Sequence, residues 1–172
     1  MNFQSLINKL EKSTNFKTFK SKNKDAQLVA GFFIFDFKDK REEATLDYQV
    51  GKEKEQEIAT FNMQDINFAF KKEKILDKTK SLSPLFKEIK LQPTELKAMI
   101  QIQLKEHKIK NKLEKVIAVL SQDKKLNEPV WNLTIMCDGF VILLARMSAI
   151  SEKVLKFEKK NLFNFIKPMP KK

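Results

Sequence analysis

The chain has very little glycine and arginine, and each shortage excludes a class of site. Its 172 residues include three glycines, Gly31, Gly51 and Gly139, and two arginines, Arg41 and Arg146. Glycines so far apart cannot form a glycine-rich phosphate loop. Lysine therefore carries almost all of the positive charge, and it lacks the planar fork with which arginine binds phosphate or guanine.

Cysteine and histidine occur once each, as Cys137 and His107. A single cysteine excludes an internal disulfide, and the pair alone cannot complete a zinc site without several carboxylates. A Cys–His dyad would need the two side chains to be adjacent, whereas we expect Cys137 to be a small core residue and His107 to offset a helix dipole. We therefore predict no catalytic residues, no metal and no cofactor, and we expect that the chain is not an enzyme.

Long apolar segments are also missing. Uncharged apolar runs such as residues 139–145 are too short to cross a bilayer, and residues 1–12 lack the apolar core of a signal peptide. These features predict no membrane span and a cytoplasmic protein.

What the chain has in excess is positive charge, a formal +12. Such a charge favours attraction to phosphate, and Phe32, Phe33 and Phe35 could then serve as stacking platforms for bases. The lysines are interleaved with acids, however, which is typical of solvated protein surfaces. A lysine-rich nucleic-acid-binding protein is therefore the alternative interpretation, not the first.

Asp138-Gly139 lies between two apolar runs that are rich in β-forming residues. This arrangement is the strongest indication of a β-hairpin in the sequence. A two-residue loop would place Cys137 opposite Phe140 and Trp131 opposite Arg146. Trp131 and Arg146 could then form a cation–π pair, or Trp131 could instead stack on a ligand. The alternative is one helix over residues 139–160, because the apolar residues there also fall near a helical stripe.

The remaining patterns alternate between helix and strand. Residues 2–12 and 93–104 have helical stripes, and residues 115–121 fit either a strand or a continued helix. Strands are predicted over residues 26–37, 44–50, 57–63 and 66–72, while the apolar residues of 161–172 call for burial. The order predicts an α+β fold: antiparallel sheets with a few helices, in two similar halves, residues 1–80 and 85–172, or in a single compact domain.

The second half resembles the PepSY type of small domain over about residues 91–158. The similarity is carried by a helix that begins PTELKAM, by Trp131, Leu133 and Ile135, and by residues 147–155. Ser148 stands where that family has Asp, and Glu152 stands where it has a turn glycine. The resemblance implies a helix followed by three antiparallel strands in a non-catalytic binding or inhibitory module.

Together these observations predict a non-enzymatic interaction module. Its partner is an unidentified protein or a second copy of the chain, and the candidate contact residues are Trp131, Arg146, Phe32, Phe33 and Phe35. The motivation is that the predicted strands carry more apolar surface than so few helices can cover.

Overall fold

A computed structural model describes residues 1–51, 56–74, 82–85 and 88–160. Within these ranges there are three α-helices, one short 3₁₀ helix and eight strands. The helices are α1 Phe3–Lys12, α2 Thr14–Lys22 and α3 Leu96–Glu106, and the 3₁₀ helix is Pro93–Glu95. The strands are β1 Gln27–Asp36, β2 Arg41–Val50, β3 Glu57–Asn62, β4 Phe70–Lys74, β5 Leu113–Asp123, β6 Glu128–Cys137, β7 Val141–Ser148 and β8 Val154–Lys160.

All eight strands form one antiparallel sheet in the order β4-β3-β2-β1-β5-β6-β7-β8. Strands contain 46% of the described residues and helices 22%, so the α+β assignment is wrong and the fold is mainly β with some helices. The helices that the structure describes lie against one face of the sheet only. That arrangement explains the error, because apolar residues on the uncovered face resemble core residues in the sequence.

The core lies between the three helices and the inner face of the sheet. Phe3 of α1 packs on Phe33 of β1, with ring centroids 6.1 Å apart, and Phe16 of α2 packs edge-on against Tyr48 of β2 at 5.0 Å. Gly31 makes room for α1, since a Cβ there would lie 2.8 Å from the Phe3 ring. Apolar burial of this kind is the main stabilising term of the fold.

Side-chain caps mark where the helices begin. The Asn2 side chain accepts a hydrogen bond from the Ser5 N–H at the start of α1, and the Ser13 hydroxyl accepts one from the Phe16 N–H at the start of α2. The Gln92 N–H donates to the Glu95 carboxylate ahead of α3, over 2.7 Å. These bonds satisfy backbone groups that the first helical turn leaves without partners.

The central strands β1 and β5 run antiparallel and join two four-strand meanders, β1–β4 and β5–β8. Helices precede each meander in the chain. The domain division near residues 80–85 stays a prediction.

The chain does reverse at Asp138-Gly139, so the alternative of one helix over residues 139–160 is wrong. The predicted register is also wrong by one residue, because Cys137 pairs with Val141 and Trp131 with Met147. The turn contains three residues, and both Gly139 and Phe140 adopt positive φ. Arg146 pairs with Asn132 instead of Trp131, which places the Trp131 and Arg146 side chains on opposite faces of the sheet.

Other predictions divide between confirmed and wrong. Residues 113–123 form β5, which resolves the ambiguity over 115–121 in favour of a strand, and the helices at residues 2–12 and 93–104 are confirmed. The strand predicted at 66–72 begins only at Phe70, and Ile66 lies in a turn with 93% of its surface exposed. The burial predicted for residues 161–172 lies outside the described residues.

Candidate functional site: the outer face of the sheet

The face opposite the helices, here called the outer face, carries an apolar stripe across its central strands. Strand pairing aligns Phe32 with Val119, Ile34 with Ile117, and Thr134 with Leu144. The apolar stripe consists of Phe32, Ile34, Ile117, Val119, Met136, Ile142 and Leu144, all of which are partly exposed. None of the described helices covers these residues, since the buried apolar residues of α1, α2 and α3 all belong to the core cluster on the inner side.

A shallow depression of about 280 Å³ lies over β5, β6 and β7 on this face. Ile117, Val119 and Leu144 supply apolar walls, while Arg146 and Glu158 stand at its rim. An apolar centre with a polar rim is the anatomy of many protein–protein interfaces.

Among the described strand residues, charge on the outer face is balanced although the chain as a whole is strongly basic. Strand registers assign it seven carboxylates, Asp36, Glu43, Asp47, Glu73, Asp123, Glu128 and Glu158, and six cations, Arg41, Lys71, Lys115, Arg146, Lys156 and Lys160. The formal excess of +12 is therefore carried elsewhere. Long-range attraction of a polyanion would act on other surfaces of the molecule.

Several of the cations are also paired. The Lys115 Nζ lies 2.8 Å from the Asp36 carboxylate, and Arg146 forms an ion pair with Asp123. Glu158 lies between Lys156, at 2.9 Å, and Lys160, at 3.4 Å. These pairs neutralise the rim of the apolar stripe locally, over distances shorter than a Debye length.

The same contacts shift the carboxylate pKa values. The backbone N–H of Asp39 and the Lys115 ammonium hold the pKa of Asp36 below its ordinary value. The Leu126 N–H and the Arg146 guanidinium lower the pKa of Asp123, and Lys156 lowers that of Glu158. Hydrogen bonds and nearby cations favour the charged form of each group. These carboxylates stay ionised at neutral pH and keep the rim paired.

Asp47 differs from these carboxylates. Burial raises its pKa, the carboxylate of Glu73 adds repulsion, and one of its oxygens has no hydrogen-bond partner among the described residues. An ionised carboxylate in this position costs folding free energy.

The structure separates the five candidate contact residues. Trp131 and Phe33 are fully buried, Phe35 is 6% exposed, and all three belong to the core. The Trp131 indole N–H donates a hydrogen bond to the Leu91 carbonyl, over 2.9 Å, which ties β6 to the segment before α3. Phe32 and Arg146 lie on the outer face, one in the apolar stripe and the other at its rim. The remaining stripe residues were missed, because on a strand with apolar residues at every position the sequence does not distinguish the covered face from the open one.

The other candidate chemistry is not brought together. Cys137 is buried, which raises the pKa of its thiol and suppresses thiolate reactivity, and His107 stacks on Phe157 at the surface. In the ranges that the structure describes, no cluster of three or more acidic, histidine or cysteine side chains is placed to bind a metal ion.

No helix within those ranges has both the length and the apolar character needed to span a membrane.

This geometry defines a class: a single antiparallel sheet with helices on one face and an apolar stripe on the other. No known family profile matches the chain, and no curated protein matches it. A crystal structure of a "putative lipoprotein" from Clostridium difficile 630 has a similar fold, with a TM-score of 0.51 and 18% identity. The similarity covers 85% of this chain and 90% of the other. At that identity it shows the fold alone.

Proposed function

We propose that this protein is a non-enzymatic interaction module that binds another protein through the apolar stripe. The observation that carries the proposal is the contrast between a charge-balanced outer face and a chain with a net charge of +12. Association through this face buries apolar surface and brings few unpaired charges together, and both effects favour a protein interface.

The partner that the charges favour is a second copy of the chain. Two strongly basic molecules repel each other in most orientations, and that repulsion is least when their neutral faces meet. Two sheets stacked face to face would interdigitate their stripes at a spacing of about 10 Å, as in β-sandwiches.

Light scattering after size exclusion tests this assembly. We expect concentration-dependent dimers, which Ile117→Lys should weaken by at least about tenfold, because a buried ammonium would lie in the interface. Leu144→Lys, two strands away in the same stripe, should act alike, whereas Ile66→Lys in an exposed turn should have no effect. Urea unfolding of each variant checks that the fold persists. A strict monomer at about 0.5 mM would contradict the second-copy assembly, since it implies a dissociation constant above about 1 mM.

The PepSY-like character stays a proposal that rests on the residues of the second half. One local observation supports it, since Glu152, at the position of the family's turn glycine, adopts φ = 60°. The Ser148 hydroxyl accepts hydrogen bonds from the N–H groups of Ile150 and Ser151, as an aspartate in that position would. The cytoplasmic location and the absence of catalysis are likewise proposals.

Nucleic-acid binding is less well supported. Two of the three phenylalanines proposed for base stacking, Phe33 and Phe35, are buried, and the cations around Phe32 are balanced by carboxylates. Its test is affinity for single-stranded DNA or RNA, which should be measurable at low salt and should fall steeply as salt is added.

A further inference from the structure

A second concave site lies on the helix side of the sheet, between the end of α3 and the edge strand β8. This groove has a volume of about 440 Å³ and is formed by residues 107–111 and by Phe157 and Lys159. We refer to it as the α3–β8 groove. Its size falls within the range of small-molecule sites.

A flat aromatic surface forms one wall of the groove. The His107 imidazole stacks on the Phe157 ring with centroids 4.6 Å apart and an angle of 22° between the planes. Phe157 packs against the core, while His107 is exposed to solvent. The open side of the imidazole is therefore available for a planar group to stack on it.

Three lysines give the groove an excess of positive charge. Lys108, Lys110 and Lys159 line it, and none of the ion pairs among the described residues involves them. This differs from the outer face, where neighbouring Lys156 and Lys160 both pair with Glu158. The acids nearest in the chain have other partners. The Glu106 carboxylate accepts a hydrogen bond from the Gln103 amide over 2.6 Å, and Glu158 pairs with Lys156 and Lys160. Asp138 accepts hydrogen bonds from the Asn111 amide and the Lys112 N–H.

The lysines are not required to neutralise the end of α3. Lysines near a helix C-terminus often interact with free carbonyl groups. Here the carbonyls of Gln103, Leu104 and Lys105 already accept the backbone N–H groups of His107, Ile109 and Lys108, respectively, at 2.8–3.0 Å. Within the part of the chain that the structure describes, the three ammonium groups therefore have no carboxylate in an ion pair with them.

Lys108 also occupies a backbone conformation that suits glycine. Its φ is 55°, in the left-handed region where a helix commonly ends with Gly. A lysine in this position costs stability relative to glycine. Five other described non-glycine residues also adopt positive φ, so this conformation serves here only to separate an effect on binding from an effect on folding.

We propose that the α3–β8 groove binds a small organic phosphate that carries a flat ring, of the kind a nucleoside monophosphate represents. The phosphate lies among Lys108, Lys110 and Lys159, and the ring stacks on His107. The dianionic charge of the phosphate matches the three ammonium groups better than a single carboxylate would.

Isothermal titration with adenosine monophosphate as the probe tests the site. We expect Lys159→Gln to weaken binding by about tenfold, whereas Lys124→Gln, an exposed lysine in the β5–β6 turn, should leave it unchanged. Ribose 5-phosphate, which lacks the ring, should bind about tenfold more weakly than adenosine monophosphate to the wild type. His107→Ala should abolish that difference between the two ligands.

The Lys108→Gly variant distinguishes a loss of ligand affinity from a loss of stability, because it should change the two in opposite directions. It should raise the urea midpoint, because glycine relieves the positive φ, and should weaken adenosine monophosphate binding at the same time. Equal losses for Lys159→Gln and Lys124→Gln would overturn the proposal, as would a failure of adenosine monophosphate to bind the wild type. Tighter binding of a single-stranded oligoadenylate that Lys159→Gln leaves unchanged would place the anion elsewhere and would also overturn it.

Discussion

Asp47 shows most directly how a single side chain opposes the fold. Its carboxylate is desolvated on the outer face, where burial raises its pKa. A raised folded-state pKa means that this group stabilises the native state most at low pH, and that this contribution is lost as the pH rises through the folded pKa. At neutral pH the ionised Asp47 is therefore destabilising.

Asp47→Asn removes that charge. We expect the free energy of unfolding to rise by roughly 1 kcal/mol near neutral pH, the ordinary size of such a polar effect, and the gain to shrink as the pH falls toward the acid range. Urea unfolding at several pH values measures both. Asp39→Asn, in an exposed pair with Arg41, is the matched control and should have little effect. A gain that does not depend on pH would contradict the assignment to ionisation.

Individual residues could be predicted where burial alternates along a strand. The strand predicted over residues 44–50 has apolar side chains at alternate positions, and these residues are buried: Ala44, Leu46, Tyr48 and Val50. Trp131 illustrates the limit, because one extra residue in the turn, Phe140, changes its partner and separates it from Arg146. The Asp-Gly pair indicates that a turn occurs, but the number of residues in the turn depends on the pairing of the whole ribbon.

At the scale of helices and strands, the packing of α1 against β1 depends on Gly31, the residue of the strand that faces Phe3. The Phe3 ring occupies the space that a side chain at Gly31 would need. The helix can approach β1 this closely only because Gly31 has no Cβ.

Gly31→Ala should therefore destabilise the protein by about 1–3 kcal/mol through overpacking. Phe3→Leu in the same chain should recover part of that loss, since it removes the atoms that clash. Urea denaturation of the two single variants and the double variant gives the coupling energy. Strictly additive effects would show that the strand, not the helix contact, responds to the substitution.

The sequence pattern predicts two of the three described α-helices, α1 and α3, and the composition of α2 explains why it does not predict the third. The helix α2 was missed because its sequence, TNFKTFKSK, has only two apolar anchors, Phe16 and Phe19, and depends on packing against β2 and β3. Residues 115–121 were ambiguous because their apolar spacing fits both periods. Pairing of β5 with β1 and β6, which is non-local, selects the strand.

For the molecule as a whole, the net positive charge opposes the self-association that the apolar stripe favours. Repulsion between chains of charge +12 opposes the proposed pairing of outer faces, although the faces themselves are neutral. Added salt screens that repulsion and strengthens apolar contacts.

Self-association should therefore tighten as sodium chloride is raised from about 50 mM to about 500 mM, over which the Debye length falls severalfold. Sedimentation equilibrium at each salt concentration measures the dimer constant. Nucleic-acid binding would show the opposite dependence, with affinity falling as salt is added. A dimer that dissociates with salt would show that ion pairs, and not the apolar stripe, hold the copies together.

Among the described residues, the two outermost strands of the sheet, β4 and β8, discourage further growth. In β4 every residue is exposed and three of the five are lysines, and β8 likewise carries lysine at three of seven positions. Charged outermost strands resist the addition of a foreign strand. The sheet is therefore ill suited to lengthen by adding strands, and under the proposed stacking of outer faces a crowded solution should yield closed pairs and not fibrils.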